Sequence, residues 1–261
     1  MRKDMSVITC VPWSDPRSVG QMFNRISRTY DLLNHLLSLG RDFSWRRRTA
    51  ERLDANRDVK LLDVATGTGD MLICLLRQRS NIALATGLDI SENMLAVCRE
   101  KLRSCGLLKR ADLLCADASK TPFPDEEFDA VTMAFGIRNT ADACATLREI
   151  HRVLKPGGVA LILEFSLPAC PMTRWFYLRY LRGVVPLVGS LVSGDRRAYR
   201  YLNESIESFQ QPAEFCSLMQ KAGFHDVSVI PLTFGVASIY QGVKGQVSGA
   251  DVGCAVHTLR E

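Results

Sequence analysis

The sequence predicts an α/β fold: a doubly wound, seven-stranded sheet that is mostly parallel and closes with an antiparallel last strand, with extra helices at the N-terminal side. Three observations carry that prediction. Short apolar runs alternate with helical segments through the middle of the chain, the pattern of parallel strands joined by crossover helices. Near the end two strands follow one another with almost no room for a helix between them, so they should pair as an antiparallel hairpin. The 261 residues, 47% of them apolar and 23% charged, suffice for a large single domain with a buried core.

Residues 17–54 read as N-terminal helices broken near Gly40, with Met22, Phe23, Ile26, Tyr30, Leu33, Leu36 and Leu37 at helical spacing. Lys60–Val64 is a first strand, and a helix runs from Gly69 to Gln78. Ile82–Ile90 is a second strand, followed by a helix that opens at Ser91, a good N-cap residue. Strands follow at Asp112–Cys115 and Phe128–Ala134, then a helix over Ala141–Leu154. Lys155, Pro156, Gly157 and Gly158 form a turn into the strand Val159–Phe165. Residues 168–210 are an insertion rich in aromatic and basic residues. A helix at Pro212–Ala222 and the closely spaced strands Val227–Leu232 and Gly235–Gln241 complete a single domain over residues 1–245. The tail, 246–261, carries little pattern and is expected to be weakly structured.

The net charge of +5 is too small to imply nucleic acid. Arginine instead gathers in two places, the first sixty residues and the stretch from Arg174 to Arg200. Solvated helix faces account for such clusters, and so does a face that meets anionic lipid head groups. The nine cysteines are odd in number and form no C-x-x-C pair, which points to free thiols in a reducing compartment. The four histidines lack ligand spacing, so no metal site is expected. No apolar run reaches the length of a membrane span and no secretory signal is visible, so a cytoplasmic location is expected.

Chemistry concentrates at three successive strand ends. The loop Asp63 to Asp70 (DVATGTGD) joins a strand to a helix, where an open α/β sheet binds its ligand. Gly67 and Gly69 let the backbone turn sharply and approach that ligand, and the helix start can receive a carboxylate. Asp89 ends the next strand, nineteen positions after Asp70, where a carboxylate can accept both ribose hydroxyls of an adenosine. Asp117, with Ala116 and Ala118, ends the third strand and can take an adenine amino group. Leu72 stands where a dinucleotide loop would have its third glycine, and the closing hairpin also argues against a dinucleotide fold. Together these features favour S-adenosylmethionine and a methyltransferase over a dehydrogenase.

The stretches FNRISRTYDLLNHLLSLGRDFSWRR, LLDVATGTGD, LDISENML, TPFPDEEFDAV, AFGIRNTAD, LREIHRVLKPGG, LEFS, YRYLNESIESF and LTFGVASIYQGVK resemble the ubiquinone and menaquinone biosynthesis C-methyltransferases from about Val19 to Lys244. The AFGIRN and YRYLNESI segments are the specific part. The resemblance implies a Rossmann-like class I methyltransferase fold and S-adenosyl-L-methionine as cofactor. It implies methylation of a ring carbon of a polyprenyl hydroquinone: demethylmenaquinol first, with the ubiquinone precursor 2-methoxy-6-polyprenyl-1,4-benzoquinol as the alternative. A small-molecule O- or N-methyltransferase and a methyltransferase-like binding module are the other readings. Carried over residue by residue, cofactor contacts fall on Thr68, Asp89, Asp117 and Ala118. Some members have a serine where this chain has Ala134.

Carbon is a poor nucleophile unless a ring hydroxyl is ionised, so a cation near the phenolate should help. Arg138 is the candidate for that catalytic role, against a structural pairing with Asp142 or another carboxylate. Tyr30 and Asp31 could line the substrate mouth or serve only in packing and capping. Because the substrate's isoprenoid tail lives in a bilayer, peripheral contact of the 168–210 insertion with the inner face of the membrane is expected. A homo-oligomer stays open.

Overall fold

The computed structural model describes residues 31, 34–187 and 196–245. Tyr30, most of the expected N-terminal helices and the tail 246–261 lie outside the described residues. Residues 34–37 are helical and lead through Gly40, in the left-handed region at φ 71°, into α1 (Arg41–Ala50). The break expected near Gly40 is therefore present.

The alternation then follows the sequence pattern. β1 (Leu61–Val64) leads to α2 (Asp70–Gln78), and β2 (Ala85–Asp89) to α3 (Glu92–Ser104). The Ser91 hydroxyl caps α3 by accepting the Met94 N–H at 3.2 Å. β3 (Ala111–Cys115) and β4 (Phe128–Ala134) precede α4 (Ala143–Val153), whose N-cap Asp142 accepts the Cys144 and Ala145 N–H groups at 2.8 and 3.0 Å. β5 is Leu154–Phe165 and begins earlier than expected. Leu154 pairs with Phe128 and the register then jumps to Ala130–Val159, so the Lys-Pro-Gly-Gly turn is an irregularity inside the strand.

The seven strands lie in the order β3-β2-β1-β4-β5-β7-β6. β1 to β5 pair in parallel; β7 (Ala237–Lys244) is antiparallel to both β5 and β6 (Phe224–Leu232). Only the last strand therefore runs backwards, as expected, but its limits shift. Thr233, Phe234 and Gly235 all have positive φ and form a tight turn, so pairing starts at Ala237 rather than Gly235.

Side chains alternate across the sheet. Leu61 and Leu161 face a cluster with Ala50, Leu72 and Leu102 from α1, α2 and α3. Leu62 and Ile162 face the opposite cluster with Ile150 of α4 and Phe215 of α7 (Pro212–Lys221). The insertion is helical: α5 (Pro171–Arg179), a π-helical turn at Tyr180–Val184 and α6 (Arg196–Ser208). Its small core of Tyr177, Leu181, Val185 and Ile206 packs on Phe165 and Val236, which places it over the carboxyl edge of the sheet. Among the described residues no helix is long and apolar enough to cross a membrane, and the seven described cysteines are free thiols.

Candidate cofactor cleft

The carboxyl ends of β1, β2, β3 and β4 open onto one cleft. The walls come from four loops, represented by Gly67, Asp89, Asp117 and Phe135. Ala65 and Phe135, the first residues past β1 and β4, both hold left-handed backbone, at φ 51° and 56°. Such strain persists only where the surroundings enforce it, and here it turns two loops toward the same space.

Asp89 bridges two of the loops that line the cleft. One oxygen accepts the Gly67 N–H at 2.8 Å and the other the Ser91 N–H at 2.8 Å. A carboxylate has about four lone-pair sites, so each oxygen keeps capacity for another donor. Burial pushes the Asp89 carboxyl above its ordinary value, against the opposing pull of the N–H groups of Ser91, Gly67 and Ile90. At Gly67, with φ 57°, the direction a Cβ would take meets no atom within 4 Å. The backbone thus offers a bare approach beside the Asp89 carboxylate.

Asp117 is exposed, and its Oδ1 takes the N–H and hydroxyl of Ser119 at 2.7 and 2.8 Å. Ala116 and Ala118 flank it with small side chains on the cleft wall. Ala134 is part of that wall as well, where a serine hydroxyl would otherwise project.

Gly67, Asp89, Asp117 and Ala118 thus meet at one cleft, while Thr68 and Gly69 are not among its lining residues. Thr68 is 2% exposed, and its hydroxyl donates to Asp31 at 2.5 Å. Asp31 also binds the Lys101 ammonium at 2.8 Å, and Lys101 reaches Asp70. Arg46 pairs with Asp42, which accepts from His35 at 2.7 Å. Burial raises the Asp42 carboxyl, but Arg46, Ser38 and His35 outweigh it and hold it below its usual value. His35, Asp42 and Asp70 approach one another closely enough to bind a cation, yet Arg46 and Lys101 already supply the countercharge. The residues before β1 are thereby tied to the glycine loop by hydrogen bonds and ion pairs. Gly69 has a packing role: at φ 86° its missing Cβ would fall 2.4 Å from Cys98 Sγ.

Beneath the loop, Asp63 is fully buried and accepts the Thr132 and Thr66 hydroxyls at 2.6 and 2.7 Å. Burial pushes its carboxyl up to about 6.

Arg138 sits in a buried ion pair. Its guanidinium donates to Glu164 at 2.5 Å and to the Phe135 carbonyl at 2.9 Å, and lies over the Phe165 ring. Glu164 is 0% exposed; burial raises its carboxyl despite the arginine beside it. Asp142, the partner weighed from the sequence, is instead the cap of α4. Arg138 therefore carries a neutralised charge and fixes the loop 135–139, whose Phe135, Gly136 and Asn139 line the cleft. This is the geometry of a positioning residue.

The sequence reasoning missed Glu164, although a lone acid inside ALILEF signals a buried carboxylate in need of a cation. It also missed that Tyr201 donates to Asn139 at 3.0 Å. That bond joins the AFGIRN and YRYLNESI segments at the cleft.

Known proteins resemble this chain over most of its length. The ubiE/COQ5 methyltransferase family model matches residues 13–244. The chain is 46% identical over 221 residues to a demethylmenaquinone methyltransferase of Thermus thermophilus, covering 85% of this chain and 99% of that protein. It is 42% identical over 227 residues to a ubiquinone/menaquinone biosynthesis C-methyltransferase of Geobacter sulfurreducens, covering 87% and 88% respectively. Among solved structures, an S-adenosylmethionine-dependent methyltransferase of Thermotoga maritima shares the fold at TM-score 0.60 and 18% identity, covering 87% of this chain and 99% of that one.

Proposed function

The chain belongs to the ubiE/COQ5 methyltransferase family, and from that premise we propose that it methylates a ring carbon of a polyprenyl hydroquinone using S-adenosyl-L-methionine. Demethylmenaquinol is the preferred substrate, since the Thermus thermophilus relative is named for that activity. One observation carries the reading beyond a generic methyl donor site. The Tyr201–Asn139 hydrogen bond places the two family-specific segments against the cofactor cleft.

The donor set suits the cofactor. Asp89 keeps lone pairs for ribose hydroxyls, Asp117 and Ala118 stand at the adenine end, and the bare Gly67 backbone leaves room for the chain between them. The bound sulfonium supplies an electrophilic methyl group. The protein's own contribution is alignment of the quinol carbon, which is worth up to about 7–11 kcal/mol in well-oriented reactions. Arg138 contributes through the loop 135–139, which it holds between the Phe135 carbonyl and Glu164.

The test has two parts. The purified protein is incubated with S-adenosylmethionine and a short-chain demethylmenaquinol, and the product is located by NMR. A new ring methyl is expected, and a methoxy product or no turnover sinks the proposal. Asp89→Asn cannot accept both the Gly67 N–H and the ribose hydroxyls at its amide nitrogen. Losing one or two charge-assisted bonds, each about 1.5–3 kcal/mol, should weaken calorimetric cofactor binding at least ten-fold. Binding within three-fold of wild type would place the cofactor elsewhere.

A further inference from the structure

The outward face of α5 is apolar. Met172, Trp175 and Phe176 are 68%, 53% and 61% exposed, and with Arg179 they occupy positions i, i+3, i+4 and i+7 of one helical face. The same helix buries Tyr177 on its other side, with Leu181 in the π-helical turn beyond. The exposed face continues through Val184 at 44% and Leu187 at 62%. A surface helix ordinarily turns charged residues outward, so this stripe is the reverse of the usual pattern. Single exposed apolar residues need no explanation, but a contiguous set with two aromatics marks an interaction site.

Charge decides what the site fits. Between Glu164 and Asp195 the chain has no acidic residue, while Arg174, Arg179 and Arg182 lie within it. The Arg179 guanidinium stands 5.0 Å over the Trp175 ring, pairing a cation with an aromatic plane. Glu207 answers Arg182 and Arg174 donates to Gln211, so the cation that the apolar stripe itself presents is Arg179. Exposed apolar and aromatic side chains with an arginine at their edge match the head-group and acyl boundary of an anionic bilayer.

We propose that α5 and the following π-helical turn form a membrane-docking face. Met172, Trp175 and Phe176 enter the acyl boundary and Arg179 meets anionic head groups. The proposal deepens the quinol reading and rests on it for its purpose. α5 follows directly from β5, whose last residue, Phe165, packs on the insertion core, so docking there brings the carboxyl edge of the sheet close to the bilayer that holds a prenylated substrate.

The experiment is co-sedimentation of the full chain with phosphatidylcholine vesicles, with and without phosphatidylglycerol, and with no quinol present. The wild type should sediment with the anionic vesicles and be released by salt. Removing two inserted aromatics in Trp175→Ser/Phe176→Ser should weaken binding by about ten- to a hundred-fold, and Arg179→Glu should remove the preference for phosphatidylglycerol. All variants should methylate a soluble short-chain quinol at the wild-type rate, which also shows that they fold. Vesicle binding that is absent, or equal in the double variant, overturns the proposal. So does a wild-type dimer by light scattering that the double variant loses, because the face would then bind a second copy. If the wild type binds vesicles but fails on the soluble quinol, the substrate reading falls and the docking face stands.

Discussion

Removing the Arg138 side chain distinguishes a positioning role from a catalytic one. In Arg138→Met the Glu164 carboxylate, 0% exposed, loses the guanidinium that answers it, and the Phe135 carbonyl loses a donor at 2.9 Å. Breaking a buried ion pair from one side costs about 3–5 kcal/mol, and the carbonyl bond adds about 1 kcal/mol. For a domain of this size each kcal/mol shifts the melting temperature by about 2–4 °C, so a fall of roughly 8–24 °C is expected in a thermal melt. The double variant Arg138→Met/Glu164→Gln removes the uncompensated charge and should recover most of that loss. If Arg138 acts by holding the loop 135–139, methylation of the quinol analogue should return along with stability. A single variant that melts within about 2 °C of wild type would refute the buried-pair argument. A double variant that is stable yet inactive would make the guanidinium itself catalytic.

The two glycines of the loop should fail differently. Gly69→Ala drives a methyl to 2.4 Å from Cys98 Sγ at φ 86° and adds a clash to the left-handed strain, so it should lower the melting temperature most; Gly67→Ala at φ 57° bears the strain alone, about 1 kcal/mol, and should weaken cofactor binding in calorimetry more than it lowers the melting temperature. Equal effects on both measurements would contradict that division. For pH, Asp63 is an acid whose folded value is raised from 3.8 to about 6, so the folded state holds its proton more tightly than the unfolded chain. Its cost is absent below about pH 4 and grows as pH rises through 6, reaching about 3 kcal/mol at neutral pH. Asp63→Asn should therefore be more stable than wild type at pH 7.5, with the gap closing at pH 4.5 in paired melts; a gap that widens on acidification would reverse the sign.

Periodicity, turn residues and strand spacing are local properties, and they were enough for the seven strands, the break at Gly40, the Ser91 cap and the reversed last strand. The strand-end positions of Gly67, Asp89, Asp117 and Ala118 were equally legible, because a parallel sheet gathers successive carboxyl ends along one edge wherever the crossovers go. What the sequence could not show are contacts between residues far apart in the chain. Arg138 finds Glu164 at a separation of 26 residues, Tyr201 finds Asn139 at 62, and Asp31 takes the Thr68 hydroxyl at 37. Each depends on which strand lies beside which and on how far a side chain must reach to neutralise a buried charge or satisfy a polar group. Tertiary packing decided those partners, and it also decided which face of α5 is buried, Tyr177 turning inward while Met172, Trp175 and Phe176 stay exposed.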